Sequence, residues 1–190
     1  MKTLFITMLG FSLFGSGNTE GQLKVGDKVP AFQLQDQNGQ TFLPEEELGK
    51  GPLVIYFYPK DETPGCTKEA CSFRDSFTAF SDLGAKVIGI SSDDVASHKQ
   101  FADKYRLPFT LLADEGGQVR KLFGVPKSLG MTGRVTYVIN KEGKVIHIFN
   151  SQLQATKHVT EALEAIKKVK ESCCGCSVQR RMNRKTMLST

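Results

Sequence analysis

Residues 56–73 read Y-F-Y-P-K-D-E-T-P-G-C-T-K-E-A-C-S-F: the end of an apolar run, a turn, then a cysteine where a helix should begin. Leu53, Val54, Ile55, Tyr56, Phe57 and Tyr58 form a continuous run of strand length, rich in β-branched and aromatic residues, which predicts a strand buried on both faces. Pro59 ends it, and Pro64 and Gly65 break the chain again before Cys66. Ala70, Phe73, Phe77 and Phe80 then recur at the three- and four-residue spacing of an amphipathic helix, with Cys66 on the same stripe one turn before Ala70.

A cysteine in the first turn of a helix meets unpaired backbone N–H groups and the positive end of the helix dipole, both of which favour a thiolate. In such settings a thiol pKa falls from about 8.5 into the range of roughly 3.5 to 7.5. The plain alternative is that Cys66 is one more small buried hydrophobe. Thr63 is a turn-former whose hydroxyl could also reach the thiolate or whatever the thiolate attacks. Cys71 lies further along the same predicted helix. Five residues of ideal helix rise about 7.5 Å and turn about 140°, a Cα separation of roughly 8 to 9 Å. A disulfide needs less than about 7 Å, so the two sulfurs cannot bond while the helix is intact. Cys71 shares its side of the helix with Arg74, Asp75 and Thr78, which should face solvent.

The segment P-K-D-E-T-P-G-C from Pro59, followed by Cys71, resembles the active-site segment of the peroxiredoxins, in the branch called peroxiredoxin Q or bacterioferritin comigratory protein. The four-residue gap between the cysteines points to that branch. The resemblance spans residues 25–168 and takes in G-I-S-S-D-D, F-T-L-L-A-D-E and G-R-V-T-Y-V-I-N. It implies that Cys66 is the peroxidatic cysteine, that Cys71 is the resolving one, and that the two form an intramolecular disulfide after the first helical turns unwind. It also implies that Thr63 and Arg134 bind and polarise the peroxide and that Pro59 shields the pocket. Gly65 joins Pro59, Thr63 and Arg134 on the substrate-binding side.

The flanking chain reads as scaffold. Phe32 and Leu34, then Asn38-Gly39, then Phe42 predict an N-terminal β-hairpin within residues 25–43, and Pro44 with Glu45 begins a helical turn. After Gly84 residues 86–91 (K-V-I-G-I-S) predict a second buried strand, so strand, helix and strand imply a right-handed parallel crossover. Asp93 or Asp94 can cap a helix reaching Tyr105, with Val95, His98, Phe101 and Ala102 on one side. Residues 109–112 read as a short strand and 116–123 as a short helix. Arg134 precedes alternating Val135, Tyr137 and Ile139, and N-K-E-G at 140–143 turns the chain into a strand over 145–149. Val159, Ala162, Leu163 and Ile166 predict a closing amphipathic helix over 156–170. The sum is an α/β thioredoxin-like fold, a central mixed sheet flanked by helices.

The organisation read from the 190 residues is a signal peptide or disordered leader over 1–21, one domain over 22–170, and a disordered Cys-rich basic tail over 171–190. Lys2 and the apolar run over 3–14, followed by Gly15, Ser16 and Gly17, suit an export signal but are too short to span a bilayer, so no stable membrane insertion is expected. With a working leader the location would be exported or organellar, and otherwise cytoplasmic. Of the formal charge of +5, four basic residues and one Glu in 171–190 supply +3 and residues 1–22 are neutral, which leaves +2 on the domain. So weak a charge gives no case for nucleic acid. The tail carries Cys173, Cys174 and Cys176, which lie outside the resemblance and could hold a soft metal or exchange with Cys71.

The expected activity is that of a thiol peroxidase that protects against oxidative stress. Attack by the Cys66 thiolate on hydrogen peroxide or an alkyl hydroperoxide releases water or alcohol and leaves a sulfenic acid, with no metal or other cofactor. Thioredoxin or a similar dithiol protein would reduce the disulfide, and the resemblance leans towards a monomer. A thioredoxin-like disulfide carrier is the rival on the same fold, but such carriers resemble C-x-x-C sequences with a proline where Arg134 stands. A metal-binding protein using Cys66, Cys71 and the tail cysteines would lack the paired C-x-x-C spacing of zinc sites. His98, His147 and His158 lie far in sequence from Cys66, where packing or capping is the expected role.

Overall fold

The predicted central strand is β3 (Leu53–Phe57), and it is buried at every position. In the computed structural model, which describes residues 21–128 and 131–186 and the side chains of all these except 128, 131, 132 and 172–186, β3 has a neighbour on each edge. It runs parallel to β4 (Lys86–Ser91) and antiparallel to β8 (Val135–Ile139). Next to these come β5 (Thr110–Ala113), parallel to β4, and β9 (Val145–Asn150), antiparallel to β8.

The hairpin of β1 (Leu34–Asp36) and β2 (Thr41–Phe42) pairs Leu34 with Phe42 around Gly39, whose φ of 75° is the left-handed turn conformation that glycine adopts without strain. It is not a separate layer, because β1 also pairs antiparallel with β5. The sheet order is therefore β2-β1-β5-β4-β3-β8-β9. The mixed sheet and the hairpin are as the sequence predicts.

Alternation along β3 sends Val54 and Tyr56 into one core with Ala70, Phe73, Phe80, Phe101, Ala162 and Ile166, all from helices. Leu53, Ile55 and Phe57 enter a second core with Phe32, Val119, Phe123 and Tyr137. Gly89 of β4 lies beside Tyr56 and admits its ring: a Cβ there would come within 2.7 Å of the Tyr56 phenol and 2.8 Å of Leu111.

The helix carrying both cysteines is α1 (Pro64–Asp75), and it ends before Phe77. The sequence reading ran one helix on to Phe80; instead Ser76 leaves helical dihedrals, at φ −99° and ψ 6°, and α2 (Phe77–Asp82) starts afresh. Serine readily bonds nearby backbone, which makes it a weak helix-interior residue. Next come α3 (Val95–Tyr105), capped by Asp94, whose carboxylate accepts from the Ser97 N–H, and α4 (Gln118–Leu122). A two-residue pairing of β6 (Lys127–Ser128) with β7 (Met131–Thr132), too short for a periodic signal, precedes Arg134.

The closing helix, α5, covers Lys157–Thr186. Its backbone continues past Lys170 as far as Thr186. The leader, residues 1–20, and the side chains of Cys173, Cys174 and Cys176 lie outside the described residues. No helix among the described residues is long and apolar enough to cross a membrane.

Candidate active site

Cys66 is the third residue of α1 and is 2% exposed. It packs in the first core, because the stripe that buries Ala70 and Phe73 also carries position 66 inward. The helix starts where Pro64 requires it to. Thr63 is the N-cap, with extended dihedrals, and its carbonyl accepts the first helical bond from the Thr67 N–H at 2.8 Å. Its hydroxyl donates to the Lys60 carbonyl at 3.1 Å rather than to the sulfur.

Arg134 stands immediately before β8 and is 3% exposed. Since β8 pairs beside β3, the start of β8 lies level with the end of β3, and Val135 is opposite Phe57. That register brings the guanidinium to α1. Its Nη2 donates to Cys66 Sγ at 3.3 Å, and its Nη1 donates to Glu69 Oε2. Gly65 makes room for this approach, because a Cβ at that position would lie 3.3 Å from Arg134 Nη2. The structure thus brings Cys66, Gly65 and Arg134 together, with Thr63 at the helix cap. Pro59 is half-buried at the end of β3. Cys71 is half-buried in the same intact helix, and both cysteines are free thiols.

Glu69 is the residue that the sequence reading missed. It is fully buried and ion-paired with Arg134, and its Oε1 has no hydrogen-bond partner. A carboxylate three residues after Cys66, on an apolar helix stripe, was the available signal. Burial pushes its pKa up to about 8, against the attraction of Arg134. Burial opposes the Arg134 charge as well, but Glu69 and then Cys66 outweigh it and raise the guanidinium above its ordinary value. Arg134 therefore stays cationic, and Glu69 is the member of the pair that can lose or take a proton near neutrality.

His158 of α5 closes the back of the site, with Nδ1 at 3.6 Å from Glu69 Oε1. Burial pushes its pKa down to about 4, so the ring is neutral. A carbonyl can only accept, so Nε2–H donates to Ser151 O at 2.9 Å, and Nδ1 then accepts from the Thr136 hydroxyl at 2.8 Å. Arg120, also buried, donates to the Tyr58 carbonyl at 2.8 Å and the Gly133 carbonyl at 3.4 Å. It thereby ties the end of the β3 run to the residue before Arg134. Neither role has a local sequence signal.

A nucleophilic sulfur at a helix N-terminus, faced by a fixed guanidinium, can attack an electrophile and stabilise the negative charge that departs. The AhpC/TSA family model matches residues 25–148. The chloroplastic peroxiredoxin Q of Triticum aestivum is 56% identical over 148 residues, which are 77% of this chain and 68% of that protein. Its counterpart in Arabidopsis thaliana is 56% identical over 144 residues, 75% of this chain and 66% of that one. Among solved structures, the peroxidoxin BcpB of Mycobacterium tuberculosis superposes with a TM-score of 0.73 at 38% identity, over 78% of this chain and 99% of its own. Peroxiredoxin Q of Xanthomonas campestris gives 0.65 at 31%, over 77% and 98%.

Proposed function

The chain belongs to the AhpC/TSA family, in its peroxiredoxin Q branch, and we propose that Cys66 is the sulfur on which its peroxidase chemistry runs. The protein is a thiol peroxidase: it reduces hydroperoxides to water or alcohols and is recycled by a thioredoxin-type dithiol reductant. The observation that carries the assignment is the Arg134 Nη2 contact at 3.3 Å to Cys66 Sγ, made between two buried groups at the first turn of α1.

In the proposed step the Cys66 thiolate attacks one peroxide oxygen in line. An S–O bond forms, the O–O bond breaks, and the sulfur is oxidised to sulfenic acid while the departing oxygen takes the electron pair and then a proton. Arg134 supports the charge at both ends, on the sulfur beforehand and on the leaving oxygen afterwards. The backbone N–H groups of the first turn of α1, those of Gly65 and Cys66, are the proposed further donors, with Thr63 at the cap. Each such donor typically supports the transition state by about 2.7 to 4 kcal/mol. Glu69 positions Arg134 by holding Nη1 while Nη2 reaches the sulfur.

Cys71 is the proposed resolving cysteine. It lies in the intact helix, so α1 must open before its sulfur can displace hydroxide from the Cys66 sulfenic acid and close the disulfide. We take the domain as residues 22–170, acting as a monomer. The wheat and Arabidopsis relatives are chloroplastic by name, and an organelle is the location proposed for this chain if residues 1–21 act as its leader.

The deciding experiment is stopped-flow peroxide consumption by wild-type and Cys66→Ser protein, followed by mass spectrometry of the oxidised wild type. Turnover should vanish in the variant, and Cys66 should be found bonded to Cys71. Retained turnover, or a bond confined to Cys173, Cys174 and Cys176, would refute the assignment.

A further inference from the structure

The loop between β3 and α1 is tied down by α3 far more firmly than a surface turn requires. Asp61, in that loop, is 3% exposed. Its Oδ1 accepts from the Tyr58 hydroxyl at 2.7 Å, and its Oδ2 accepts from the Ser97 hydroxyl at 2.8 Å and lies 2.9 Å from His98 Nδ1. The Asp61 N–H donates to Asp93 Oδ2 at 2.9 Å. Next to it Glu62 has a left-handed φ of 59°, unusual for a non-glycine residue, and its carboxylate accepts from Lys104 Nζ at 2.6 Å and from the Tyr105 hydroxyl at 3.2 Å.

His98 is fully buried and its other nitrogen, Nε2, lies 3.1 Å from the Leu112 carbonyl. The Tyr58 hydroxyl lies 3.4 Å from Nδ1 as well, but its proton goes to Asp61 Oδ1 at 2.7 Å, so the closest group to each ring nitrogen is an oxygen that accepts. A neutral imidazole has a single N–H and would set a lone pair against one of them. Only the doubly protonated ring satisfies both contacts, and Asp61 supplies the opposite charge. Burial works against ionisation of Asp61, but the bonds from His98, Tyr58 and Ser97 hold its carboxyl below the ordinary value.

We propose that His98, as a buried imidazolium locked between Asp61 and the Leu112 carbonyl, is a positioning residue for the peroxide step. It anchors the loop that carries Pro59 and Thr63 while α1 unwinds on the other side of Cys66. The proposal rests on the peroxidase reading and adds to it a fixed boundary for the unwinding. Resolution must break bonds such as Thr67 N–H to the Thr63 carbonyl, yet the pocket must be intact for the next peroxide. An anchor on the upstream side lets the helix open and close without the loop being rebuilt at every cycle. Ser97, His98, Lys104 and Tyr105, all on α3, supply it.

The test uses the full chain. Long-range 15N–1H NMR near neutral pH should find both His98 ring nitrogens protonated; one bare nitrogen overturns the proposal. His98→Gln and Asp61→Asn should each slow Cys66 oxidation by about tenfold, a loss in keeping with a sub-ångström displacement of positioning groups, while the later conversion to disulfide keeps its wild-type rate. Hydrogen exchange should find the Asp61 amide protected in both the reduced and disulfide forms of the wild type, and exposed in His98→Gln.

Wild-type oxidation rates in both variants, or equal slowing of oxidation and resolution, overturn the anchor. Should His98→Gln fail to fold, Asp61→Asn, which keeps the hydrogen-bonding shape, decides the kinetic arm. A wild-type protein inert to peroxide would sink the peroxidase reading instead, and the anchor would then stand or fall on ring protonation and the Asp61 amide.

Discussion

Cys66 and Cys71 lie on one helix, five residues apart, and almost nothing else about them is alike. Cys66 points into the first core, faces Arg134 and is almost fully buried. Cys71 is half-buried on the flank that carries Arg74 and Asp75, with Arg74 paired to Asp75 at 2.8 Å. Residue type is the same in both places, so the difference in chemistry has to come from position. In the proposed scheme the thiol at the helix start, beside a guanidinium, reacts with the oxidant, and the half-buried thiol five residues on reacts with what the first becomes.

Removing the second thiol is the strongest way to break that contrast. Cys71→Ser should still yield one sulfenic acid per chain, read by mass spectrometry, while thioredoxin-driven cycling falls to background. Continued cycling would mean that a tail cysteine can stand in, and that the contrast within α1 is not what divides the labour. The next largest effect is expected at Arg134. Arg134→Lys replaces two nitrogens, one on Glu69 and one on Cys66, by a single ammonium that cannot keep both directions. Cys66 oxidation should slow by about a hundredfold, on the scale of losing one well-aimed donor, with the disulfide step unchanged. A rate within twofold of wild type in stopped flow would deny Arg134 its place at the sulfur.

Half of this contrast could be read from the sequence. The apolar run ending at Tyr58, the Pro and Gly breaks and the stripe through Ala70 and Phe73 are local signals, and they placed Cys66 on the buried side; Cys71, expected to face solvent, is half-buried. Arg134 was legible only through the family resemblance, because nothing near it in sequence distinguishes it from a solvated strand-start charge. Its partners are 65 and 68 residues away. Glu69 was passed over for a related reason: a charge on an apolar face makes sense only once the cation that meets it is known. The same holds for His158, whose tautomer follows from the carbonyl that the residue after β9 presents to it.

Sheet order was likewise beyond reach, since the pairing of β1 with β5 joins Gln35 to Ala113 and Asp36 to Leu112, far apart in the chain. The apolar stripe that ends at Ile166 marks the end of the contact of α5 with the core, which is all that periodicity can read.

The smallest effects sharpen the contrast through its buried charges. Glu69 has an ordinary pKa of 4.5 and titrates at about 8 in the folded protein, so across that window the folded state holds a proton that the unfolded chain has released. Stability should therefore fall as pH rises from about 4.5 to 8. His158 acts with the opposite sign. Its pKa drops from 6.5 to about 4, so the unfolded chain binds the extra proton and stability is lost on acidification between those values. The two slopes oppose one another between pH 4.5 and 6.5, and only that of Glu69 remains between 6.5 and 8.

Denaturant unfolding of the wild type should thus lose at most about 2 kcal/mol from pH 6.5 to 8, and Glu69→Gln should lose almost none of it. The kinetic counterpart follows from the shared guanidinium. Above pH 8 an ionised Glu69 competes with Cys66 for Arg134, so oxidation by peroxide should slow severalfold in the wild type and stay level in Glu69→Gln. Parallel pH profiles for the two proteins would place the proton elsewhere and leave Glu69 as a mere spacer beside the cation.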